Sequence, residues 1–108
     1  MLCLTNEMAG SDGDIFSFAW QRLGLGPLLG TRTWGGTVGI WPRHRLVDRT
    51  LTTQPEFPNA FEGVGTGLEN RGVDPDECID DVPGEEADVQ LSAAVTRILG
   101  QLADPTQG

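Results

Sequence analysis

Apolar residues occur in short blocks divided by glycine, proline and acidic residues, and their period changes along the chain. Leu2, Cys3 and Leu4 form a compact apolar run that predicts a buried strand over residues 1–5. Residues 8–13 predict a turn. Ile15, Phe16, Phe18, Ala19, Trp20 and Leu23 then follow a helical repeat, and Gly24 is placed to stop that helix. Strand, turn and helix open a βαβ unit. After the break at Leu25-Gly26-Pro27, residues 28–33 are therefore expected to form a second strand parallel to the first.

The next blocks are shorter. Trp34-Gly35-Gly36 predicts a turn, Thr37-Val38-Gly39-Ile40-Trp41 alternates as a strand, and residues 43–53 suit an antiparallel hairpin turning at Asp48-Arg49. Residues 54–67, broken by Pro55, Pro58 and three glycines, predict a loop with room for one short strand. Cys78 and Ile79, with Val82, suit a last strand. Val89, Leu91, Val95, Ile98, Leu99 and Leu102 mark one face of a helix from about 88 to 102, capped by Asp88 and weakened near Gly100. The tail from Asp104 to Gly108 is expected to fray. Two segments result: 1–87, mixed strand and helix, and 88–108, a helix and tail.

A chain of 108 residues allows one domain and a modest core. Its net charge of −9, with seven arginines and no lysine, argues against nucleic acid and anionic membrane as partners. No apolar run approaches the roughly 18 residues of a membrane span, and the residues from Met1 onward lack the basic-then-apolar layout of a signal peptide, so a cytoplasmic location is expected. Cys3 and Cys78 lack the spacing of a disulfide framework or a zinc site; no metal or cofactor is expected. The glycines of residues 24–30 are spaced G-x-G-x-x-x-G and follow a helix instead of opening one, which argues against a dinucleotide loop. A functional turn so near Met1 suggests the end of something longer.

Ser11 stands on the turn between the first strand and the first helix. Unpaired N–H groups and the positive end of the helix dipole lie beside it, so negative charge developing on a carbonyl attacked by Ser11 would be stabilised. The N–H of Asp12 is the oxyanion donor in that reading. The alternative is a capping box, with Ser11 bonded to the N–H of Asp14 and Asp14 reaching back. Serine also needs a base, and the base needs an orienting group. Glu69, on a glycine-bounded loop, is either that orienting group or a solvated carboxylate.

Three strings carry a resemblance: Thr5-Asn6-Glu7-Met8-Ala9-Gly10-Ser11-Asp12-Gly13-Asp14, the run from Leu23-Gly24-Leu25-Gly26 through Trp34-Gly35-Gly36, and Gly39-Ile40-Trp41-Pro42-Arg43-His44. Over roughly residues 2–80 the chain resembles the catalytic core of tricorn proteases, large cytoplasmic serine peptidases related to the carboxyl-terminal processing peptidases. The resemblance implies a crotonase-like (ClpP/crotonase-type) α/β core, incomplete in these residues. It implies Ser11 as nucleophile, Asp12 as oxyanion N–H and Glu69 as the acid of the charge-relay set. Gly39, Ile40, Trp41 and Pro42 correspond to the strand beside the bound peptide.

In that family the catalytic histidine, a second oxyanion donor and the residue that sets side-chain preference precede the nucleophile and would fall before Met1. His44 lies in a different matching segment. Related tail-specific peptidases use a Ser-Lys dyad, but Gly36 occupies the position of that lysine and the chain has none.

The expected function is hydrolysis of short peptides through an acyl-enzyme on Ser11, within a homo-oligomeric full-length protein and with these residues inactive alone. The alternative is a catalytically incomplete peptide-binding or subunit-interaction module from a truncated gene. A crotonase-like acyl-CoA enzyme is disfavoured by the scarcity of basic residues for CoA phosphates. Alone, the first strand would present an unpaired edge, which predicts aggregation or a molten state.

Overall fold

The computed structural model describes residues 1–84 and 86–104 of the chain. Strand β1 (Cys3–Thr5) leads through a turn into helix α1 (Asp12–Arg22), and the chain returns as β2 (Leu28–Gly30). β2 runs parallel to β1, with Cys3 opposite Leu28 and Thr5 opposite Gly30, as expected of a βαβ start. Beyond it come β3 (Gly39–Ile40), β4 (His44–Arg45), β5 (Leu51–Thr52) and β6 (Pro55–Phe57). Finally β7 (Glu77–Cys78) joins the free edge of β2 in parallel, and α2 (Val89–Ala103) follows.

The main sheet therefore has the order β1-β2-β7, and two antiparallel pairs, β3 with β6 and β4 with β5, lie outside it. The molecule is a mixed α/β structure. The expected hairpin is β4 and β5, and its turn includes Arg49 at φ 71°, with the Arg49 N–H donating to the Leu46 carbonyl at 2.9 Å. Strands are shorter than their apolar blocks: residues 31–33 leave the sheet after Gly30, and only 39–40 of the 37–41 block pair. The expected fraying of the tail falls, beyond Asp104, outside the described residues.

β2 is buried along its whole length because it is covered on both faces. Leu28, fully buried, joins Leu68 and Val73 in a cluster against which Cys3, Phe18, Trp20 and Phe61 pack. The alternate residue, Leu29, lines the groove under α2 with Val89 and Ala93. Helices thus lie on opposite faces of the sheet. Burial raises the pKa of the Cys3 thiol, as suits a packed thiol and not a reactive one.

Both helices depart from the burial that their apolar periodicity predicts. On α1 the buried positions are Asp14 and Ser17, whereas Phe16, and Leu23 just past its end, are exposed. On α2 they are Gln90 and Ala94, and the apolar stripe of Leu91, Val95, Ile98, Leu99 and Leu102 faces outward. The reason is close approach: Ala93 and Ala94 let α2 settle on the sheet, Gln90 Nε2 donates to the Ile79 carbonyl at 2.9 Å, and Arg97 pairs with Glu77 of β7. Residues 41–51 are exposed throughout. The radius of gyration is 17.7 Å, against roughly 13 Å for a compact domain of this length.

Candidate active site

Ser11 follows the end of β1 by six residues and precedes α1 by one. Its backbone has φ 53° and ψ −109°, the conformation of the first central residue of a type II′ turn, where glycine is favoured. A serine held there is strained by about 1–3 kcal/mol, a cost that persists only where surrounding contacts enforce it. Strained strand-to-helix turns of this kind lift a nucleophilic hydroxyl clear of the backbone. Ser11 is exposed.

The capping-box arrangement is present, but of its two halves only the Asp14 half is a full hydrogen bond. The Ser11 N–H donates to Asp14 Oδ2 at 2.8 Å, whereas the Ser11 hydroxyl makes no capping hydrogen bond. The N–H of Asp12, at the first helical position, has no carbonyl partner among the described residues. It is thus one of the orphan donors of a helix start, with the dipole behind it.

Facing this turn is the loop of Trp34, Gly35 and Gly36. The Trp34 N–H donates to the Ala9 carbonyl at 3.0 Å, and its ring lies against Gly10, where a Cβ would come within 2.5 Å of ring carbon Cε3. Gly35 has φ 85° and a Cβ there would lie 2.5 Å from the Gly72 nitrogen, so only glycine fits. Asp14 anchors the loop from below: Oδ1 accepts from Gly35 N–H at 2.8 Å and Oδ2 from Gly36 N–H at 3.0 Å.

Glu69 reaches the same place from a loop tied down by Asn70, whose N–H donates to the Gly35 carbonyl at 2.7 Å. Its Oε2 accepts from the N–H groups of Thr37 and Val38 at 2.6 and 2.7 Å and from the Thr37 hydroxyl at 3.1 Å. Glu69 is partly buried and held, which removes the solvated-carboxylate alternative. Its other oxygen, Oε1, takes no hydrogen bond among the described residues, so it is available to orient a further group.

Ser11, Ile40 and Glu69 line one cavity of about 340 Å³ with the Trp34-Gly35-Gly36 loop. The other residues of the expected peptide-side strand do not line it. Gly39 sits half-buried on β3 against the Phe57 ring, and Trp41 and Pro42 are exposed beyond the strand, with the Arg43 guanidinium 5.5 Å from the Trp41 ring centre. Asp12 is exposed and does not line the cavity. His44, on β4, is exposed and outside the cavity; Thr52 Oγ1 donates to its carbonyl at 3.3 Å.

Asp14 and Thr37 belong to the site and were not legible as such. The only signal was the acid three residues after Ser11, which marks a cap; its bonds to Gly35 and Gly36 span 21 and 22 residues. No helix among the described residues is long and apolar enough to cross a membrane.

Comparison with known proteins identifies the family of the chain. The chain is 51% identical over 105 residues to the tricorn protease of Thermoplasma acidophilum, covering 94% of the chain and 10% of that protein. It is 55% identical over 102 residues to a tricorn protease homolog of Saccharolobus solfataricus, covering 92% and 10%. A crystal structure of the tricorn protease superposes with a TM-score of 0.88 at 51% identity, over 95% of the chain and 10% of that structure. The chain spans about a tenth of the length of these relatives. The sequence profile of peptidase family S41 matches residues 1–79, a span that takes in the Ser11 turn, the Gly35 loop and Glu69 together. On that match and those identities, the chain belongs to peptidase family S41.

Proposed function

We propose that these residues carry the nucleophile-bearing part of a serine peptidase active site that hydrolyses short peptides. The observation that carries the reading is Ser11 itself: exposed, held at positive φ, its hydroxyl making no full capping hydrogen bond, on a cavity that Glu69 also lines. In this reading Ser11 Oγ attacks the scissile carbonyl as a base takes its proton. The Asp12 N–H and the α1 dipole stabilise the oxyanion, one such donor being worth about 3–4 kcal/mol of barrier. Collapse of the tetrahedral species expels the amine, which takes the proton back, and water hydrolyses the remaining ester by the same route. Glu69 Oε1 orients the base. Gly39, Ile40, Trp41 and Pro42 run beside the peptide, of which Ile40 reaches the cavity.

His44 is exposed and does not line the cavity, and the base is assigned, by the resemblance, to a histidine outside these 108 residues. By the resemblance described above, the same proposal takes residues 1–87 as part of a crotonase-like catalytic core and 88–108 as its terminal helix and tail. A cytoplasmic, homo-oligomeric protein active on peptides, without a cofactor, completes it. A second reading, a module that binds peptides without cleaving them, starts from the lack of a histidine lining the cavity among the described residues.

A fluorophosphonate probe separates the two in the protein as the cell makes it. The expected result is covalent modification mapped by mass spectrometry to Ser11, with peptide hydrolysis abolished by Ser11→Ala while the melting temperature is retained. Peptide binding with no modification of Ser11 and no hydrolysis would establish the second reading.

A further inference from the structure

Asp14 is fully buried, and its carboxylate forms no ion pair among the described residues. Burying a carboxylate without a cation is unfavourable unless charge-assisted hydrogen bonds replace its hydration. Here all three donors are backbone amides, and they come from two sides of one cavity: Ser11 on the nucleophile turn, Gly35 and Gly36 on the facing loop. A helix cap needs only the first. We propose that Asp14 is a positioning residue for the nucleophile. By holding the Ser11 N–H it maintains the strained turn on which the exposed Ser11 stands. By holding Gly35 and Gly36 with the same carboxylate it fixes the cavity wall relative to Ser11.

This inference rests on Ser11 being the nucleophile, so its test carries one readout that needs no chemistry. Asp14→Asn keeps the shape but sets an NH2 group against at least one backbone N–H. Ser17→Ala serves as the control: Ser17 is one turn along α1, buried, and bonded to Thr5 at 3.3 Å, away from the cavity. In the protein as the cell makes it, we would measure the saturating rate and half-saturating concentration of fluorophosphonate labelling of Ser11. Amide hydrogen exchange of residues 10–14 and 34–37 would be followed alongside.

Asp14→Asn is expected to lower the saturating rate about 100-fold, the scale of a misplaced reacting group, with the half-saturating concentration changed less than twofold. Exchange in the two segments rises together. Ser17→Ala is expected to lower the melting temperature and leave the saturating rate within twofold. Labelling of Asp14→Asn at the wild-type rate, or faster exchange in one segment only, overturns the proposal. If wild-type Ser11 is not labelled, the nucleophile assignment fails by itself, and the paired exchange still decides whether Asp14 couples the two segments. Should Asp14→Asn not fold, Asp14→Glu, which keeps the charge and displaces it by one methylene, carries the same comparison.

Discussion

Two carboxylates, Asp14 and Glu69, organise the site by accepting backbone N–H groups that no strand or helix uses. Glu69→Ala removes the partner of the Thr37 and Val38 amides, and an unmet buried donor costs about 1–3 kcal/mol. The expected outcome is a lower melting temperature and slowed turnover, with labelling of Ser11 reduced but not lost; unchanged turnover would remove Glu69 from the mechanism. Asp74 behaves differently. Arg32 Nε at 2.6 Å and Arg71 at 2.7 Å hold its pKa below the ordinary 3.8. A depressed folded pKa contributes stability that is present above pH 3.8 and lost as pH falls through the lower folded value. Because the cluster is exposed, salt screens it and the effect is small. Acid titration of Asp74→Asn is expected to show a shallower loss of stability below pH 3.8 than wild type, with the difference shrinking in high salt.

At the scale of elements, α2 shows most directly why periodicity misleads. Its cap is local and was legible: Asp88 accepts from the Leu91 N–H at 2.8 Å, and Asp88→Ala is expected to cost about 1 kcal/mol by thermal melting. Its buried face was not, because hydrophobicity marks where a helix could be covered, whereas small size decides which side approaches the sheet. Ala94→Leu is therefore expected to destabilise by about 1–3 kcal/mol through overpacking, read by chemical denaturation. The loop of Gly35 gives a parallel case. Trp34-Gly35-Gly36 reads as a turn from sequence, yet the need for glycine comes from the Arg71 and Gly72 backbone, more than thirty residues away. α1 reads as a helix from its apolar residues, of which Phe18 and Trp20 pack against the core cluster, while its buried positions are Asp14 and Ser17.

Across the whole molecule, more large apolar side chains are exposed than buried among the described residues: the α2 stripe, Trp41, Val47 and Phe57 all face outward, and patches of this kind drive association. The 108 residues alone are expected to elute in size-exclusion chromatography as larger species and to bind a hydrophobic dye. Combined Leu91→Glu, Val95→Lys and Leu99→Glu substitutions should shift the population toward monomer with helicity retained. A sharp, monomeric melt of the unsubstituted chain would contradict this. Residue order alone determined the βαβ start, the β4 and β5 hairpin, the Asp88 cap and the place of Ser11 between strand and helix, because each is written in short blocks of consecutive apolar, turn and capping residues. Family resemblance singled out Glu69. Only the tertiary structure decided that Glu69 is held by Thr37 and Val38, that Ser11 sits at positive φ, and that Asp14 ties the Ser11 turn to the facing loop. Those outcomes rest on hydrogen bonds between segments far apart in sequence, whose closure depends on packing that no local pattern encodes.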